Sequence, residues 1–131
     1  MRVRFVSTKG PYLEALLDVG DQRICVMDEF SVDERSVPKP GQEIEFEFGS
    51  QLEEGESWED IFSGNPEERL GIEQIEGWRY RAYGRIESIR PVRVNCGFLT
   101  VEGVVHTNDT KVVGQYISFT IARLGGYAHA I

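Results

Sequence analysis

Nowhere in the chain do 18 apolar residues follow one another, and the opening residues alternate Arg2, Val3, Arg4, Phe5 where a signal peptide would carry an apolar run. Neither a membrane-spanning helix nor export is therefore expected, and the cytoplasm is the compartment this pattern suggests. Cysteine is scarce. Cys25 and Cys96 stand 71 positions apart, each inside an apolar stretch, so two reduced, buried thiols are expected in place of a disulfide framework. Histidine is equally scarce: His106 lies three residues before Asp109 across a polar turn, and His129 stands in the tail. That spacing matches no ligand set, so no metal and no cofactor are expected. Gly125-Gly126 has too few glycines for a phosphate loop, and no serine sits in a strained elbow. No catalytic residue can be named, and an enzyme is the weakest of the functional readings.

What is present describes a folded chain. With 131 residues, 40% of them hydrophobic and 27% charged, it can bury one substantial core, and a single domain over residues 1–131 is expected. The net charge is −8, which disfavours free nucleic acid as the partner recruited by the average field. The charge is unevenly spread. Between Glu43 and Glu76 stand 12 acidic residues and a single base, Arg69, a local charge of −11, which leaves +3 for all other residues.

Period-two patterning dominates. Glu43-Ile44-Glu45-Phe46-Glu47-Phe48 alternates without error, as a strand with one wet face requires. Val3 and Phe5 oppose Arg2 and Arg4 in the same way. Leu13, Ala15, Leu17 and Val19 run into the turn Gly20-Asp21 and the apolar stretch Ile24-Cys25-Val26, which reads as a hairpin. Pro38-Lys39-Pro40-Gly41 is the loop before the Glu43 strand. Trp78, Tyr80, Ala82 and Ile86 share one phase of a long strand, with a bulge expected near Gly84. Leu99 to Val105 and Gln115 to Ala122 complete the strands, with Thr107 to Thr110 as a turn and the tail from Gly125 loosely held.

The exception is an insertion around residues 57–76. Ser57 is placed to cap a helix with Asp60 three residues on, Trp58, Ile61 and Phe62 share a face, and Gly64 supplies a stop. Asn65-Pro66-Glu67-Glu68 repeats the start signal, so a second helical turn ending by Gly77 is expected. This order of elements predicts a mainly β fold: a small closed or partly open antiparallel barrel of six to seven strands, similar in architecture to oligonucleotide-binding barrels, with the helical insertion capping one end.

Two surfaces are candidates for function. The first is the acidic insertion, where Glu53, Glu54, Glu56, Glu59, Asp60, Glu67 and Glu68 offer a docking face to a basic protein partner. The second is the strand face of Arg79, Arg81, Tyr83 and Arg85, which combines positive charge with an aromatic platform as single-stranded nucleic-acid binders do. The bland explanation of that face is a cross-strand charge ladder with Glu43, Glu45 and Glu47. Trp58 and Phe62, with Ile61, are expected to pack on the barrel end, and Tyr12 to be a core or lid residue; exposed, these aromatics are interface anchors. The reading that follows is a small cytoplasmic, non-catalytic binding module that engages a protein through its acids. No membrane partner is expected, and the sequence leaves the oligomeric state open.

Overall fold

The computed structural model describes residues 1–33 and 37–129, the last of these for its backbone alone. Among them are nine strands and one α-helix: β1 (Arg2–Thr8), β2 (Glu14–Val19), β3 (Gln22–Asp28), β4 (Glu43–Leu52), α1 (Trp58–Ser63), β5 (Gly71–Glu76), β6 (Arg79–Ile89), β7 (Val92–Asn95), β8 (Thr100–Glu102) and β9 (Tyr116–His129). The protein is mainly β, as its alternation dictates. No helix among the described residues is long and apolar enough to cross a membrane. The chain divides into two compact units, one of Met1–Gln51, Glu76–Arg79 and the chain from Arg123 onward, the other of Leu52–Ile75 and Tyr80–Ala122.

The first unit is a meander that closes on itself. β1 pairs antiparallel with β2 and β4, and β2 with β3 around the Gly20 turn, whose φ of 58° suits glycine. β4 neighbours β9, and β9 pairs in parallel with β3 at Met27 and Gly125, so five strands form a ring. The expected closure is therefore present, although one of its seams is parallel. Val3, Phe5, Ala15, Leu17, Ile24, Ile44 and Phe46 are buried, as their phase in each strand requires. Phe30 meets Phe5 and Phe46 edge to face at centroid distances of 6.0 and 5.7 Å.

In the second unit β6 is the central strand. It pairs antiparallel with β9 from Tyr80 opposite Ile121 to Arg85 opposite Tyr116, and with β7, which in turn holds β8; β5 pairs with β6 as well. Tyr80, Ala82 and Ile86 point inward with Ile117, Phe119 and Ile121 of β9, all of them 2% exposed or less.

Several expectations need correction. The described residues hold nine strands, two or three more than expected, because short strands escaped the pattern: β7 carries only Val92 and Val94 inward, and Pro91 before it reads as a loop. The second helical turn is absent. Asn65 to Glu68 form a turn with Glu68 at φ 55°, and residues 71–76 are strand β5. The tail from Gly125 is ordered strand through His129, because its glycines allow a close approach: a Cβ on Gly126 would lie 2.5 Å from Cε1 of Phe46. Ala130 and Ile131 lie outside the described residues. The bulge sits between Ile86 and Ser88, beyond Gly84, and the run from Leu99 to Val105 is strand only over Thr100–Glu102.

Both cysteines are free and buried. Burial pushes the Cys96 thiol up to about 12 and raises that of Cys25. A thiol-specific reagent at pH 8 is thus expected to label neither cysteine until denaturant unfolds the chain; labelling of the native protein at the unfolded rate would contradict their burial. Because the fold favours the neutral thiol, the Cys96 contribution is intact below the unfolded value near 9 and is lost as pH rises toward 12.

Candidate functional site

All the candidate residues but Arg79 lie in the second unit, and helix α1 organises the acidic ones. The Ser57 hydroxyl accepts a hydrogen bond from the Asp60 amide at 3.1 Å, which satisfies one of the amides a helix start leaves open. Ile61 is buried on the inner face. At the other end Gly64 lies so close to the sheet that a Cβ there would meet Cβ of Ser118 at 2.9 Å, so glycine both stops the helix and seats it. Asn65 then fixes the exit. It is 4% exposed, its Oδ1 accepts from the Arg69 amide at 2.8 Å, and its Nδ2 donates to the carbonyls of Arg69 and Ile117 at 2.9 and 3.2 Å.

The structure separates the acids into two groups. Glu56 is a fastening: its Oε1 accepts from the Thr120 amide at 2.6 Å and its Oε2 from Nη1 of Arg81 at 2.7 Å, while Arg81 also donates to the Thr120 hydroxyl at 3.0 Å. With both side chains less than a third exposed, this charge-assisted network ties the insertion to β6 and β9. Glu53 is half-buried and has its own partner. Glu54, Glu59, Asp60, Glu67 and Glu68 face solvent.

The same fastening takes apart the arginine face. Arg81 belongs to Glu56. Tyr83 is covered by the Arg69 guanidinium, 4.3 Å above its ring, and Arg69 in turn holds Oε1 of Glu73 at 2.6 Å. That hydrogen bond to Glu73 pushes the Arg69 guanidinium still higher than its ordinary value. Arg79 is half-buried and engaged, and Arg85 is exposed. The four do not form an open stripe. Of the carboxylates expected opposite these arginines, Glu43 and Glu45 pair with Arg2, and β6 runs beside β5, β7 and β9.

The aromatics differ most from expectation. Trp58 is 51% exposed, its ring 5.9 Å from that of half-buried Phe62, because only Ile61 turns under the six-residue helix and the indole is left on the outer side. Tyr12 is also exposed, in the other unit, at a φ of 63°.

Sequence patterning missed a cleft of about 410 Å³ beside α1, with Leu52, Ile61, Val104 and Phe119 among its apolar walls and Glu53 and Glu54 among its acidic ones. It opens because Gly103, with φ 81°, turns the chain away after β8, where continued alternation predicted more strand. His106 is exposed, and Asp109 spends its carboxylate on the Lys111 amide at 3.0 Å. Among the described residues no group of three His, Cys, Asp or Glu side chains is placed to hold a metal ion. No family model, curated protein or solved structure matches this chain.

Proposed function

We propose that the protein is a small cytoplasmic, non-catalytic binding module whose α1 surface engages a cationic protein segment. The observation that carries this is Trp58, a large aromatic held in the open on a short helix with Glu59 and Asp60 beside it in sequence and Glu54, Glu67 and Glu68 also exposed in the same insertion. Covering an exposed indole takes a large apolar surface out of water, and tryptophan is among the residue types enriched in binding hot spots. The acids steer a basic partner and the indole supplies the contact. The fastening through Glu56 and Arg81 supports the same reading, because it holds α1 in place before any partner arrives, which lowers the entropic cost of association.

The test is a fluorescence titration on the Trp78→Phe chain, which leaves Trp58 as its only indole, against a panel of eight-residue peptides that alternate Arg or Lys with Leu. A blue shift of the emission is expected, with affinity falling as salt rises and lost in a variant carrying E54Q, E59Q, D60N, E67Q and E68Q. No shift with any peptide at low salt, or equal shifts with the neutralised variant, would reject the reading.

A further inference from the structure

Resting on that reading, we infer that the cleft beside α1 is the seat for one arginine or lysine side chain of the partner. Its chemistry is divided in the way those side chains are. Ile61 and Phe119, 3% and 1% exposed, line the cleft together with half-buried Leu52 and Val104, and Glu53 and exposed Glu54 are the acidic residues of its lining beside Glu56. A long basic side chain lays its aliphatic stem along apolar surface and keeps its charged head among polar groups, so it satisfies both parts at once.

Other occupants fit less well. An anion would enter against the charge of Glu53 and Glu54, and a wholly apolar group would take water from the Glu54 carboxylate without replacing it, which is costly. Arg81 does not cancel the acidity, since its charge is matched by Glu56 within the fastening. The volume of about 410 Å³ is at the small end of ligand sites, suited to a side chain and not to a large cofactor. Gly55 and Gly103 both line it, with φ of 89° and 81°, and each has open space where a Cβ would stand, which keeps the way in free of side chains. Glu56 and the Thr120 amide already satisfy one another and Glu53 has its own partner, so the incoming head meets the carboxylate of exposed Glu54 and not the backbone.

The probe is Nα-acetyl-arginine amide, titrated into the full chain while amide NMR shifts are followed, with Nα-acetyl-norleucine amide as the uncharged analogue. Saturable shifts confined to Gly55, Gly103, Val104 and Thr120 are expected with the arginine probe, about tenfold weaker with norleucine because it brings no charge to Glu54. E54Q is expected to weaken the arginine probe by about three- to fivefold, the scale of one exposed charge pair. V104F, checked for an otherwise native spectrum, fills the cleft and is expected to abolish the shifts. Equal binding of the two probes, shifts located elsewhere, or no saturable shift at low salt would overturn the assignment. The two ideas fail differently: if V104F still gives the full Trp58 response to the basic peptides, the cleft is not the seat but the docking surface stands. If the peptides give no response in the unmutated chain, the surface itself is rejected.

Discussion

Replacing Gly84 with alanine is expected to destabilise the protein by about 3 kcal/mol, at the upper end of what overpacking a core costs. A Cβ at this position would stand 2.6 Å from both the Asn95 carbonyl oxygen and Cγ1 of Val94, and 2.9 Å from Sγ of Cys96. None of the three can retreat freely. Arg85 is paired with Asn95 in the β6–β7 ladder, and Val94 and Cys96 are both 0% exposed. Urea denaturation monitored by far-UV circular dichroism reads the loss as a lower midpoint at unchanged slope. A shift of a few tenths of a kcal/mol would mean that β7 does not press against β6. Gly126→Ala makes the parallel test in the other unit, where the new methyl would lie 2.3 Å from the Glu47 carbonyl oxygen.

Asp28→Ala is the second large effect, about 3 to 5 kcal/mol, because it removes a buried charged acceptor and leaves its donors unpaired. Asp28 is 0% exposed. Its Oδ1 accepts from the amides of Phe30 and Ser31, each at 2.8 Å, and its Oδ2 from the Thr8 hydroxyl. Its own backbone extends the arrangement: the Tyr12 amide donates to the Asp28 carbonyl, and the Asp28 amide donates to that of Leu13 at 2.8 Å. Three stretches, Thr8, Tyr12–Leu13 and Phe30–Ser31, thus converge on one residue, and they include the strained Tyr12. Asp28→Asn is expected to cost much less than the alanine change, since an amide oxygen keeps both backbone donors and its nitrogen can donate to Thr8. If both variants denature with the same midpoint, the hydrogen bonds are not what makes Asp28 matter.

How far the sequence could be read follows from what each pattern encodes. Alternation reports burial on one face, so β1, β2 and β4 were legible to within a few residues, and Ser57, Ile61 and Gly64 marked α1 because caps are local chemistry. Gly125-Gly126 misled because glycine permits either a loose end or a close approach, and only the Phe46 ring passing over position 126 decides between them. Residues 65–76 misled in another way: the start signal at Asn65 is real, but its side chain serves the Arg69 amide across a turn, and the backbone of β5 finds β6 as partner. The candidate surfaces were legible as charge and illegible as geometry. That Glu56 would take Arg81, that Arg69 would cover Tyr83, and that Trp58 would stay outside all depend on which strands become neighbours, and pairing between distant strands leaves no local mark.

The most direct measurement is photo-crosslinking in the native cell from a benzoylphenylalanine placed at position 58, followed by mass spectrometry of the linked peptide. The account predicts a discrete protein adduct whose linked peptide carries Arg or Lys beside the attachment point, and its disappearance when Glu54, Glu59, Asp60, Glu67 and Glu68 are neutralised. Identical adducts from the acidic and the neutralised forms, or adducts to nucleic acid, would contradict it.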